Sequence, residues 1–181
     1  MAKTMQLLTA RCGKIRPDSG ADYLASGGFS ALKKAMDMAP MDIINEVIDA
    51  KLLGRGGASY PAGKKWKQLY EIEGSPKYIV CNADEGEPGT FKDKVLLEKD
   101  PLSIIEGMAI AGYVFDSHDG YIYIRGEYRE IRNSSRQRLT MRSRRTIWGR
   151  ISWVLTSPSV YTSFPVPVRI SAVKTPVCSI P

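Results

Sequence analysis

The chain has 181 residues, 43% of them hydrophobic and 25% charged, enough for one soluble globular core. No run approaches the roughly 18 apolar residues of a membrane span, and the start MAKTMQLLTARCGKIRP has too short an apolar core for a signal peptide, so a cytoplasmic address is expected. The formal charge of +7 is very unevenly spread: residues 1–130 carry a net −2, whereas residues 131–181 hold nine basic residues and no acidic one.

A basic tail such as RQRLTMRSRRTIWGR can bind nucleic acid or an anionic surface, and that reading stands until something else explains the charge. Cys12, Cys81 and Cys178 lie far apart, with no CxxC spacing and no cysteine or histidine partner nearby. Neither a zinc site nor a disulfide framework is indicated, and no metal ligands are assigned.

In chain order, DYLASGGFSALKKAMDM offers Asp22 as a helix cap followed by Phe29, Leu32 and Met36 at helical spacing. MAPMDIINEVIDAKLLG predicts a second helix with Ile43, Ile44, Val47 and Ile48 on one stripe, ended by Gly54. KYIVCNADE is a short apolar run, Tyr78 to Cys81, that stops at polar residues as a buried parallel strand does at its carboxyl end. DPLSIIEGMAIAGYVF predicts a mostly apolar helix after Asp100 with Pro101 in its first turn, and DGYIYIRGEY a second strand over Tyr121 to Arg125. Helices alternating with strands imply a layered α/β sheet. In such sheets ligands sit beyond the carboxyl ends of the strands, where Asn82, Asp84, Glu85, Gly126 and Glu127 fall.

Between the second helix and the first strand lies LLGRGGASYPAGKKW. It is not a Walker A loop, because Ala58 stands where the first glycine should be and Lys65 follows Lys64. It is not an ordinary dinucleotide fingerprint either: Gly54, Gly56 and Ser59 nearly fit GxGxxG, but a helix precedes them where a strand is required. The loop by itself reads as a glycine-rich surface turn or as main chain held close to an anion or a flat ring, with Lys64 and Lys65 supplying charge. CNADEGEPGTFKDK then crowds Asn82, Asp84, Glu85 and Glu87 after the strand, a density of carboxylates that needs lysines, backbone donors or a ligand to balance it. His118, in DSHDG, reads as a solvated loop residue.

GRGGASYPAGKKW, KYIVCNADEGEPGTFKDK and GYIYIRGEY together resemble the flavoprotein subunit of NADH dehydrogenases, the 51 kDa subunit of respiratory complex I, which has homologues in NAD-linked hydrogenases and formate dehydrogenases. The resemblance covers about Cys12 to about Arg132. It implies a Rossmann-like three-layer α/β domain in which the glycine loop and the NADE turn line one cavity for FMN and NADH. Hydride would pass from nicotinamide to flavin, and electrons would then leave through iron–sulfur clusters, with no protein acid or base required.

By the same resemblance, Gly54, Arg55, Gly56 and Gly57 lie against the flavin and the dinucleotide, Lys65 binds on the flavin side, and Tyr60 replaces a phenylalanine that stacks on adenine. Asn82, Asp84 and Glu85 bond the isoalloxazine and ribityl groups, and Glu87 faces the nicotinamide carboxamide. Ser59 and Ala62 depart from the usual glycine and threonine. The implied partners are the iron–sulfur electron-transfer subunits of a multi-subunit oxidoreductase, at most peripheral to a membrane complex, with no membrane insertion of this chain.

The tail departs from the family. The family continues with an acidic helix, then YLGKNILGSDF, then a second glycine loop of the type GAGAYICGEDS that completes the flavin site, and later the cysteines of a 4Fe-4S cluster; none of these is visible here. Read one base out of register, the missing pieces return. One choice of codons for GAGAYICGED, GGT GCC GGT GCG TAT ATC TGC GGT GAA GAC, when begun one base later gives Val166 to Thr175. Codon strings for NYLGKNILGSDFSVGVY and LETALDDA likewise give Thr146 to Tyr161 and Ser135 to Arg142 at the same offset. A frameshift near Asn133 therefore accounts for the acid-free tail, since displaced GAN codons no longer encode Asp or Glu, and it displaces the nucleic-acid reading.

The expected organisation is an amino-terminal helical segment (1–50), a partial FMN/NADH-binding α/β domain (51–132) and a basic out-of-frame tail (133–181). The tail is expected to be disordered or loosely collapsed rather than packed, because it carries no selected hydrophobic pattern. The alternative is a non-catalytic nucleotide-binding or basic nucleic-acid-interacting protein.

Overall fold

The computed structural model describes residues 6–124, Tyr128, and the backbone of 151–155 and 168–173. Six helices and four strands follow in order: α1 (Gly20–Ala25), α2 (Ser30–Met36), α3 (Pro40–Asp49), α4 (Ala62–Glu71), β1 (Tyr78–Ala83), α5 (Lys92–Lys99), α6 (Pro101–Phe115), β2 (Asp119–Ile124), β3 (Ile151–Leu155) and β4 (Val168–Val173). The strands form one parallel sheet in the order β1-β2-β4-β3, with Val80 opposite Tyr121 and Asn82 opposite Tyr123. The α/β class expected from the alternating elements is the class observed.

Helix α6 organises the core. It is apolar around most of its circumference and is therefore buried on both sides. Leu102, Ile105, Met108 and Ala109 meet Ala83 and Ile122 of the sheet together with Leu97 of α5, while Ala111, Val114 and Phe115 meet Ala35, Ile43 and Ile44 of the outer helices. Alternation along β1 turns Ile79, Cys81 and Ala83 to α6 and leaves Tyr78 and Val80 exposed on the other face.

The first expected helix is two helices. Ser19, not Asp22, is the cap of α1: its hydroxyl accepts from the Asp22 amide at 3.1 Å. The chain then breaks at Gly27–Phe29, with Phe29 left-handed, before α2 begins. Glu106 of α6 supplies what the short α2 lacks, accepting from the Phe29 and Leu32 amides at 2.8 and 3.0 Å and from the Tyr23 hydroxyl at 2.5 Å. Helix α5 was not foreseen.

Gly63 sets the spacing of α3 and α4. A Cβ there would lie 2.5 Å from Ile48 Cγ1 and 2.7 Å from the Ile48 amide nitrogen, so only glycine lets the two helices approach this closely.

The tail is expected to be disordered or loosely collapsed; among its described residues, the backbone runs Ile151–Leu155 and Val168–Val173 pair with the sheet beyond β2. Both windows are rich in β-branched and aromatic residues, and the outer edge of β2 offers backbone groups that need partners; strand propensity does not require an in-frame sequence. Gly126, Glu127 and the remainder of the tail lie outside the described residues. Among the described residues no helix is long and apolar enough to cross a membrane, and no group of three or more His, Cys, Asp or Glu side chains is placed to hold a metal ion.

Candidate functional site

The glycine segment is a loop closed at its base. Leu53 and Pro61 form an antiparallel bridge, flanked by the Gly54 amide donating to the Tyr60 carbonyl at 2.9 Å and the Ala62 amide donating to the Leu52 carbonyl at 2.8 Å. The backbone between must reverse tightly, which Gly57 permits at φ +107°. The loop is thus presented as a unit between α3 and α4 at the carboxyl end of β1.

At that end β1 runs into the NADE turn. The Asn82 side-chain oxygen accepts from the Asp84 amide at 3.0 Å, fixing the turn and leaving the side-chain NH2 to donate outward. The two segments enclose a cleft of about 530 Å³ lined by Arg55, Gly56 and Gly57 on one wall and by Asn82, Asp84, Glu85, Gly86 and Glu87 on the other, with Thr90, Lys92 and Asp93 from the start of α5. That volume lies in the range of small-molecule sites, about 300–1,000 Å³. A Cβ on Gly56 or Gly57 would meet no protein atom within 4 Å, so the space beside their main chain is open.

The charges around the cleft are mixed. Arg55 donates to the Leu53 carbonyl at 2.9 Å and stays exposed. Lys92 pairs with Asp93 at 2.8 Å and lies 4.0 Å from Glu85. Glu85 is 4% exposed, and its carboxylate accepts from the Asp93 and Lys94 amides at 2.9 and 3.1 Å and from the Tyr128 hydroxyl at 3.0 Å. It therefore caps α5, whose own Phe91 makes no side-chain cap.

Burial pushes the Glu85 carboxyl up, but the two amides, the tyrosine hydroxyl and Lys92 outweigh it and hold the group below the ordinary carboxylate range. Its folded-state pKa lies below the unfolded value of about 4.3. The stabilisation is thus complete above that value and is lost as pH falls through the lower, folded one. An acid-unfolding titration should show Glu85→Gln losing stability relative to wild type near neutral pH, with the difference closing below about pH 4. A difference independent of pH would contradict the capping role.

Of the sequence-derived residues, Arg55, Gly56, Gly57, Asn82, Asp84, Glu85 and Glu87 come together on this cleft, and Gly54, Tyr60 and Lys65 do not line it. Gly54 is spent on closing the loop, Tyr60 bonds Gln68 at 3.1 Å, and Lys65 is exposed on α4. Thr90, Lys92 and Asp93 were missed. Their signal lay in the FKDK that follows the turn, a helix start whose free amides needed an anionic cap. His118 is 62% exposed by its side chain, 3.7 Å from Asp116 on the turn after α6, away from the cleft.

A family model described as the Nuo51 FMN-binding domain matches residues 47–174, well over half of the chain. The chain belongs to that family. The match includes both walls of the cleft and runs on to residue 174.

Among relatives of this Nuo51-type chain, an NADH-quinone oxidoreductase subunit of Aquifex aeolicus is 50% identical over 125 residues, covering 69% of the chain and 29% of that protein. The NADP-reducing hydrogenase subunit HndC of Solidesulfovibrio fructosivorans is 44% identical over 126 residues, 70% of the chain and 26% of that protein. The crystal structure of an NAD+-reducing [NiFe]-hydrogenase in the air-oxidized state superposes with a TM-score of 0.55 at 31% identity, over 75% of this chain and 20% of that one. The Nuo51-type chain thus spans less than a third of the length of each of these relatives.

Proposed function

We propose that this chain is the amino-terminal part of the flavoprotein subunit of an NADH dehydrogenase-type oxidoreductase, and that its cleft binds FMN with NADH beside it. The observation that carries this reading is that Gly56 and Asn82, 26 positions apart in sequence, line the same cleft.

The donor set suits the cofactor. Main chain without Cβ at Gly56 and Gly57 admits a flat ring at close range, and the Asn82 NH2 donates toward ring carbonyl or nitrogen atoms. Asp84 and Glu87 accept from hydroxyl or carboxamide groups, while Arg55 and Lys92 supply cationic charge for phosphate. When bound, FMN supplies the acceptor for a hydride and the means to pass electrons on singly. The residues of this chain bind and orient; none is needed to carry a proton. Gly54 would serve at the loop base and Tyr60 toward the dinucleotide, with Lys65 on the flavin side. The 4Fe-4S cluster and the iron–sulfur electron-transfer subunits would be supplied outside this chain.

The tail is part of the proposal. If a one-base frameshift near Asn133 displaces the second glycine loop, the chain retains only the part of the flavin site formed by the first glycine loop and the NADE turn, and flavin affinity is low. What supports this is the acid-free composition after Glu130 and the recovery of three family segments at one offset.

Titration of the purified chain with FMN, followed by quenching of flavin fluorescence, tests the reading. Saturable binding is expected, weakened about tenfold or more in Gly57→Val, which both strains a left-handed backbone position and fills the space beside it. No uptake of flavin, together with salt-sensitive DNA binding, would overturn it in favour of the basic interaction protein.

A further inference from the structure

We infer that Tyr128, a residue outside the cleft, fixes the shape of the cleft by holding Glu85, and is a positioning residue for whatever the cleft binds. It rests on the proposed flavin site only in what it says about the ligand.

The geometry centres on one carboxylate. Glu85 sits in the turn after β1 with its side chain 1% exposed, and its two oxygens accept from three donors on two other parts of the chain. The Asp93 and Lys94 amides belong to the first turn of α5, and the Tyr128 hydroxyl comes from the segment after β2. Both stretches of cleft wall, Asn82 at the end of β1 with Asp84–Glu87 of the turn, and Thr90, Lys92 and Asp93, therefore meet at this carboxylate. Its oxygens are engaged by protein donors, so its contribution to the cleft is to join these pieces.

Tyr128 is the contact that ties the joint to the sheet. Its ring packs against the core beneath α6, and the Lys94 ammonium stands 5.8 Å from the ring centroid. The partly buried ring packs against the core, and its hydroxyl reaches Glu85. Without that donor the Glu85 carboxylate keeps its bonds to the Asp93 and Lys94 amides and loses the Tyr128 hydroxyl. Among the described residues, the charged and titratable groups near Glu85 are Lys92, Asp93 and Lys94 of α5, Tyr128 after β2, and Asp84 and Glu87 of its own turn.

Tyr128→Phe keeps the ring and removes the donor. In the whole chain, NMR titration of the Asp93 and Lys94 amide signals should show their acid midpoint moving up by about one pH unit, because the ionised carboxylate has lost a hydrogen bond. FMN affinity near neutral pH should fall about tenfold.

Incorporation of 3-fluorotyrosine at position 128, a stronger donor of nearly the same shape, should move the midpoint the other way and keeps the test open if the phenylalanine variant does not fold. A lower melting temperature with an unmoved midpoint, or a moved midpoint with unchanged FMN affinity, would overturn the inference. A wild-type chain that takes up no FMN, with the midpoint shifting as described, would instead sink the flavin reading and leave the Tyr128–Glu85 brace standing.

Discussion

Glu106→Leu should be among the most damaging single substitutions in this chain, costing about 3–4 kcal/mol and lowering the melting temperature by roughly 6–16 °C. The side chain is 7% exposed and accepts from the Tyr23 hydroxyl and from the Phe29 and Leu32 amides. Leucine fills the volume but takes the acceptor away from the buried Tyr23 hydroxyl and Leu32 amide and from the part-buried Phe29 amide, each buried donor worth about 1–3 kcal/mol when orphaned. Removing a buried carboxylate from low dielectric offsets part of this. Helix α2 should fray first, since its first turn has no side-chain cap of its own.

Glu106→Gln, with a single acceptor oxygen, should fall between leucine and wild type. In a double-mutant cycle, Tyr23→Phe should add much less on the leucine background than on the wild type. Thermal unfolding followed by circular dichroism measures all of these, and a loss below about 1 kcal/mol for Glu106→Leu would mean that α1 and α2 are held by apolar packing alone.

The largest functional effect is expected from one inserted base. Restoring the frame near the Asn133 codon should replace Val166 to Thr175 by a second glycine loop with acidic residues, and raise FMN affinity by roughly two orders of magnitude as the rest of the flavin site is added. Sequencing across that codon and repeating the FMN titration on the restored chain check the two halves of the prediction. A stop codon or unrelated residues in the restored frame would remove the frameshift; a restored loop without gain in affinity would remove its role in binding.

Much of the site was legible before folding because its chemistry is local. Gly54 to Gly57 announce main chain without Cβ, and Asn82 to Glu87 announce a polar turn at a strand end, whatever the rest of the chain does. Strands β1 and β2 and helices α3 and α6 follow from apolar patterns within single windows. Where the reading failed, the deciding groups came from elsewhere. The run from Asp22 to Met38 looks like one helix because the break at Gly27–Phe29 is stabilised by Glu106, 77 positions from Phe29. Helix α5 has a mixed surface whose first amides are satisfied by Glu85 from the preceding turn, not by a cap of its own.

The sequence by itself determined which pieces this protein is made of: a glycine loop, an acidic turn, apolar helices and short parallel strands, and a tail whose composition changes abruptly after Glu130. Only the tertiary structure decided what those pieces do to one another. It put Gly56 and Asn82 on one cleft, spent Gly54 on closing the loop and Glu85 on capping α5, and let two β-branched stretches of the tail join a sheet edge. The physical reason is that composition and periodicity act over a few residues, whereas an anion's partners and a strand's neighbours are chosen by whichever donors and edges the folded chain brings within reach.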